Sequence, residues 1–178
     1  EAVLTTPVDL SGAYIKNIKH SFVPLSIFKE IIKTAAEFIK PEVINYLNKQ
    51  YKFNDYQIDI LLLTTSGTVK KESIEFESKI SGYLELVKKY CPSGGKVMIK
   101  PHPRCSSLEN LILIERLSRD YQVFILDEKI SSYPIEIIVL FLNVDLIVSF
   151  LSFSSVVIAL IGNYHQVYEH QSSFFEKI

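Results

Sequence analysis

The chain has 178 residues, of which 48% are hydrophobic and 12% aromatic, which is enough to build one domain around a buried core. This composition excludes a mainly disordered chain. The formal net charge is −1, so the basic excess of a protein that grips nucleic acid by its phosphates is missing, and we expect no nucleic-acid partner.

The N-terminal part of the chain predicts helices. Residues 1–23 show little regular pattern, and apolar residues then recur on one face of a helix that opens at Pro24. Lys40 and Pro41 predict a break, with Pro41 at the first position of a second helix. We therefore expect residues 1–57 to form a mainly helical segment, a remnant of another domain or a linker.

From residue 58 onward, apolar strands alternate with helices. Strands are predicted over 58–64, 96–100, 122–126 and 146–150, and helices over 72–90, 106–119, 134–142 and 155–161. Strands that are apolar on both faces and alternate with helices indicate a parallel sheet covered on both sides. The sequence thus predicts an α/β, Rossmann-like domain over residues 58–178.

The cysteines and one long apolar stretch bear on where in the cell the protein is located. Cys91 and Cys105 lack the spacing of a zinc site or a disulfide framework, so we expect free thiols in a cytoplasmic compartment, and no pattern of a secretion signal opens the chain. The apolar stretch 134–162 contains Glu136 and Asp145, and a bilayer-centred Asp costs ~2.5–3.5 kcal/mol. We interpret that stretch as buried core and not as a membrane span.

Parallel sheets bind ligands in the crevice beyond the carboxyl ends of their strands. That rule selects four loops, which are 64–68, 101–107, 127–133 and 151–155. The second loop carries the segment Lys100-Pro101-His102-Pro103-Arg104, in which two prolines fix the backbone around one histidine. Lys100 and Arg104 flank the histidine and make this loop an electropositive corner, suited to an anion such as phosphate.

Two further features have a structural and a functional interpretation. Ser154 and Ser155 precede the last predicted helix, where they either cap free NH groups or bind a phosphate. Glu136, in the first turn of an apolar helix, either compensates the helix dipole or accepts hydrogen bonds from a nucleoside. No GxGxxG or Walker sequence supports a dinucleotide or ATP site.

Together, these segments resemble bacterial sialyltransferases of the GT-B type, in the C-terminal domain that binds CMP-sialic acid. In those families an HP motif, a Pro-x-Glu helix start and a paired-serine motif follow one another. Lys100-Pro101-His102-Pro103, Pro134-Ile135-Glu136 and Ser154-Ser155 occur here in the same order. The resemblance covers roughly residues 58–162.

The resemblance implies a site for the donor CMP-sialic acid that needs neither a cofactor nor a metal. His102 would contact the phosphate and assist departure of the leaving group. The other donor-binding residues would be Ser154 and Ser155 at the phosphate, Lys100, Pro103 and Glu136 around the ribose and cytosine, and Gly67, where the backbone approaches the nucleotide.

The resemblance also implies partners. The acceptor would be a glycan of the lipooligosaccharide or capsular polysaccharide type, and the full-length protein would associate peripherally with the inner face of the membrane. These enzymes carry their catalytic base in an N-terminal acceptor domain, for which residues 1–57 leave little room. We therefore expect either a fragment or a donor-binding domain that does not turn over alone.

Two alternatives stay open. Asp145-Leu146-Ile147 through Ser154-Ser155 also resembles glycerophosphotransferases that use CDP-glycerol, although those usually place an acidic residue or tyrosine where Phe153 stands. The other alternative is a nucleotide-binding module without catalytic activity. A response-regulator receiver is excluded because Thr64-Thr65-Ser66 stands where an acidic pocket would be required.

Overall fold

A computed structural model describes residues 2–6, 18–51, 57–65, 73–149, 158 and 167–169. Strands and helices alternate along these residues after the first helix. In chain order they are β1 (Ala2–Thr6), β2 (Ile18–Phe22), α1 (Leu25–Tyr51), β3 (Ile58–Leu63), α2 (Ser73–Tyr90), β4 (Lys96–Lys100), α3 (Ser107–Leu117), β5 (Gln122–Ile125), α4 (Glu128–Ser131), α5 (Ile135–Ile138), a 3₁₀ turn (Val139–Phe141), β6 (Val144–Ser149) and β7 (Val167–Glu169).

The larger sheet has the strand order β5-β4-β3-β6-β7, and every neighbouring pair is parallel. Counted from β3, this is the order 3-2-1-4-5 of a Rossmann sheet. The predicted α/β class with a parallel sheet is confirmed. The four predicted strands are present within about two residues of their predicted bounds, and β7 is an additional edge strand.

Helices cover both faces of this sheet. Leu61, Met98 and Ile147 lie side by side in register and face the core formed with α1, α4 and α5. Leu62 faces the opposite core, formed with α2 and α3. Each fully buried Leu or Ile side chain contributes about 1.5–3 kcal/mol, so both faces of the central strands stabilise the fold.

The predicted break at Lys40 and Pro41 is wrong. One helix, α1, runs from Leu25 to Tyr51 with Pro41 inside it. A proline inside a helix costs about 3 kcal/mol because it removes one hydrogen bond and crowds the preceding turn. Val43 and Leu47, fully buried beyond Pro41, offset this cost because they continue the face that begins before it.

Besides β7, three short elements stand where the sequence predicts none. β1 and β2 pair in parallel with each other within residues 1–23, and α4 occupies the predicted loop 127–133. Elements of three to five residues are too short to show a periodicity. The helix predicted over 155–161 lies outside the described residues except for Ile158, which is helical.

Within the described part of the chain, no helix combines the length and the hydropathy that a membrane span requires.

Candidate functional site

The carboxyl ends of the strands meet at one edge of the larger sheet, and the strand order reverses there between β3 and β6. Leu63 pairs with Lys100 on one side and with Ser149 on the other, and Ser149 pairs with Glu169, so these four residues form the last row of the sheet. A reversal of this kind leaves a crevice outside the strand ends, which is where open α/β sheets bind ligands. The end of β3 borders this crevice, and the loop after β4 lies beside the end of β3 because the two strands are neighbours.

His102 is held at this edge by three hydrogen bonds. Its backbone NH donates to Oγ1 of Thr64 at 2.8 Å, and its carbonyl accepts from the NH of Cys105 at 2.8 Å. The NH of Arg104 donates to ring atom Nδ1 at 3.1 Å. Since Nδ1 is an acceptor, the neutral ring carries its proton on Nε2 and presents that atom as a donor.

The surroundings of His102 are electropositive. Burial lowers the pKa of its imidazole below the usual 6.5, and the positive charges of Arg104, Lys100 and Lys79 lower it further. A cation is disfavoured at this position, whereas an anion would be attracted by the same three charges. The electropositive corner predicted around His102 is therefore present in the structure.

Lys100 lies beside this corner, within reach of the negative charge of Glu136. Lys100 is 8% exposed, and its ammonium donates to the carbonyl of Ser131 at 2.8 Å. Burial lowers the pKa of Lys100, and the negative charge of Glu136 acts in the opposite direction. The hydrogen bond to Ser131 and the electrostatic interaction with Glu136 place the end of α4 and the start of α5 near the end of β4.

Two polar residues of this edge were missed in the sequence. Thr64 binds the backbone of His102, as described above, and Ser149 is fully buried with no hydrogen-bond partner for its Oγ among the described residues. Thr64 directly follows β3, and Ser149 is the last residue of β6. A polar residue at the end of an apolar strand is ordinarily interpreted as the start of a loop. Their place beside the candidate site follows only from the strand order.

Four predicted site residues remain, and the structure describes one of them. Pro103 is exposed at the edge, next to His102. Gly67, Ser154 and Ser155 lie outside the described residues, so their roles stay predictions. Within the described ranges, no group of three His, Cys, Asp or Glu side chains is placed to hold a metal ion.

A comparison with protein families identifies the chain. The model of the alpha-2,8-polysialyltransferase (POLYST) family matches residues 5–168, which is most of the sequence. The chain belongs to the alpha-2,8-polysialyltransferase family. No match was found among curated proteins or among solved structures.

Membership of the alpha-2,8-polysialyltransferase family makes the chain a sialyltransferase-like glycosyltransferase. It confirms the sialyltransferase part of the predicted resemblance and implies a nucleotide-sugar donor and a glycan acceptor in general. It favours sialyl transfer over the CDP-glycerol alternative. The match also extends beyond the Rossmann-like sheet to include α1, β2 and the last two residues of β1.

Proposed function

We propose that the crevice at the carboxyl ends of β3, β4 and β6 binds CMP-sialic acid for transfer of its sialyl group to a glycan. The observation that carries this proposal is the fixed imidazole of His102. Its loop follows β4 and is bonded through the His102 NH to Thr64, beside the reversal between β3 and β6. The bond from Arg104 to Nδ1 leaves Nε2 as a donor with no partner among the described residues.

The donor phosphate is the expected partner of Nε2. When the bond between the sialyl carbon and the phosphate oxygen breaks, negative charge develops on the departing CMP phosphate. A hydrogen bond from Nε2, together with the nearby charges of Lys100, Arg104 and Lys79, would stabilise that charge. His102 is therefore assigned to the leaving group, in accordance with its predicted role.

The nucleoside is expected beside Lys100, Pro103 and Glu136. Glu136 is half-buried at the start of α5, and its carboxylate suits the hydroxyls of a ribose or the amino group of cytosine. We also assign Ser154 and Ser155 to the phosphate, and Gly67 to the place where the backbone approaches the nucleotide. These assignments rest on the order of the motifs in the sequence.

The wider assignment follows the family. We propose that the sheet is the donor half of a GT-B glycosyltransferase, that the linkage formed is the alpha-2,8 linkage of the family's name, and that binding requires no metal. The acceptor would be a lipooligosaccharide or capsular polysaccharide at the cytoplasmic face of the membrane. Side-chain cations around His102 supply positive charge for the phosphate.

Isothermal titration calorimetry with CMP, UMP, GMP and CDP-glycerol tests the proposal. We expect the chain to prefer CMP over UMP and GMP, and EDTA to leave the affinity for CMP unchanged. His102→Ala should weaken CMP binding about ten- to hundredfold, the value of one hydrogen bond to a charged acceptor, and leave cytidine binding nearly unchanged.

Arg119→Ala is the matched control. It removes a basic side chain that can donate hydrogen bonds, but Arg119 is exposed and paired with Glu115 on α3, away from the crevice. It should bind CMP like the unmodified chain. Equal affinity for all nucleotides would contradict the proposal, and tightest binding of CDP-glycerol would favour glycerophosphate transfer instead.

A further inference from the structure

Two ion pairs join α2 to α3, and they lie in very different surroundings. Nζ of Lys79 lies 2.6 Å from Oε1 of Glu109, with side chains 6% and 13% exposed. Arg116 and Glu77 form the second pair at 2.7 Å, with side chains 30% and 54% exposed. A buried ion pair loses in desolvation most of what it gains by attraction, so stability alone does not explain the Lys79–Glu109 pair.

Lys79 also binds the segment that follows β3. Its Nζ donates to the carbonyl oxygen of Thr65 at 2.8 Å. The backbone NH of Thr65 donates to Oη of Tyr83 at 2.7 Å. Tyr83 is fully buried and lies one helical turn beyond Lys79 on α2. Both backbone polar groups of Thr65 are therefore held by α2.

Glu109 reaches the loop that follows β4. Its Oε1 lies 3.6 Å from Sγ of Cys105, and that thiol donates to the carbonyl of Thr65 at 3.3 Å. The NH of Cys105 donates in turn to the carbonyl of His102. The pair is thus linked to Thr65, just after β3, and to Cys105 in the loop after β4.

We propose that Lys79 and Glu109 are positioning residues for His102, because their ion pair fixes Thr65, just after β3, and the loop after β4 relative to each other. This inference rests on the proposed function, in which the imidazole must meet the donor phosphate. Burial of this ion pair adds little net stability, but it defines the geometry of the sheet edge that carries His102. A small displacement there would move the imidazole relative to the donor phosphate.

The charge of Lys79 offers an independent readout of this geometry. It is one of three positive charges that lower the pKa of His102, together with Arg104 and Lys100. Burial of the ring is the largest cause of this lowered pKa, so loops released by removal of both charges of the pair would expose the imidazole to water and raise its pKa. The titration of the imidazole therefore reports on the pair whether or not a nucleotide binds.

The experiment compares two double variants of the full chain. Lys79→Met/Glu109→Gln removes the buried pair without leaving an unpaired charge, and Arg116→Met/Glu77→Gln removes the exposed pair between the same helices. Nuclear magnetic resonance of labelled histidine gives the titration curve of His102, and calorimetry gives the CMP affinity. Thermal melting shows that each variant is folded, and Lys79→Arg serves as the conservative variant.

The buried-pair variant should titrate His102 at higher pH than the unmodified chain and bind CMP about tenfold more weakly. The exposed-pair variant and Lys79→Arg should match the unmodified chain in both measurements. A buried-pair variant with an unchanged His102 titration curve would overturn the inference, even if its melting temperature fell. Failure of the unmodified chain to bind CMP would instead refute the proposed function and leave the titration to decide the positioning role.

Discussion

Thr64 links the end of β3 to the His102 loop through one hydroxyl group. Its Oγ1 accepts the NH of His102 at 2.8 Å, so Thr64→Ala leaves a partly buried NH without its acceptor. We expect the variant to lose about 1–3 kcal/mol of unfolding free energy and to bind CMP several-fold more weakly. Urea denaturation and calorimetry measure the two effects.

Thr64→Ser is the control because it keeps the hydroxyl and removes only a methyl group. It should bind CMP with the affinity of the unmodified chain. If Thr64→Ser weakens CMP binding as much as Thr64→Ala does, the hydrogen bond to His102 does not position the ring.

Glu136 is expected to face the nucleoside, and its substitution should give a different pattern from that of His102. Glu136→Gln should weaken cytidine and CMP alike, by about tenfold, because a charged acceptor is lost where both ligands carry the same group. Glu128→Gln, an exposed acid in the first turn of α4, should change neither affinity. A loss confined to CMP would place Glu136 at the phosphate instead.

Single residues differ in how readily the sequence predicts them. The proline-flanked His102 and the acid Glu136 are unusual in their local sequence, so both were predicted, and the structure places them at the same edge. Lys79 lies on the apolar face of α2, where its spacing from Phe76 and Tyr83 marks it as a buried cation. Its partner Glu109 is contributed by another helix, and no local pattern pairs the two.

The start of α3 shows how a tertiary contact changes a local motif. Ser106 and Glu109 have the spacing of a capping box, and Oγ of Ser106 accepts the NH of Glu109 at 3.1 Å. The carboxylate of Glu109 pairs with Lys79 at 2.6 Å. Attraction between buried charges directs this side chain toward α2, so the serine is the part of the motif that caps the helix.

Ser106→Ala should therefore cost about 1 kcal/mol of unfolding free energy, with a range of about 0.5–2 kcal/mol for lost caps. Ser118→Ala, at the other end of the same helix, should cost less because the Ser118 backbone NH makes the capping bond there. Urea denaturation of both variants checks the difference. Equal losses would mean that the Ser106 hydroxyl does not cap the helix.

The order of elements was predictable where each is long or bounded by clear signals. β3, β4 and α2 carry continuous apolar patterns, and the structure matches their predicted bounds within about a residue. The predicted break at Pro41 is wrong because burial of Val43 and Leu47 in the core outweighs the low helix propensity of proline. Packing against a distant strand cannot be seen in the local sequence around a proline.

The molecule as a whole depends on the arrangement of its strands. Alternating strands and helices predict a parallel sheet, but the sequence does not state which strands are neighbours. The order β5-β4-β3-β6-β7 puts the ends of β3, β4 and β6 side by side, and only this arrangement brings Lys100 and Ser149 into one row with Leu63.

The stability of the whole chain should depend on pH through His102. Burial and neighbouring cations lower its pKa in the folded state, so below about pH 6.5 the unfolded chain takes up a proton that the folded chain does not. Stability then falls as the pH falls from 6.5 toward the lowered pKa. Urea denaturation should show that His102→Gln lacks this part of the loss, and parallel pH profiles would contradict the assigned cause.

The most direct test of the central claim is the nuclear magnetic resonance signal of the His102 ring during titration with CMP and with cytidine. His102→Gln identifies the signal among those of the chain's four histidines. If the imidazole faces the donor phosphate, CMP shifts the Nε2 resonance and raises the pKa of the ring, whereas cytidine leaves both nearly unchanged. Equal responses to CMP and cytidine, or none to either, would contradict the claim that His102 binds the phosphate of the donor.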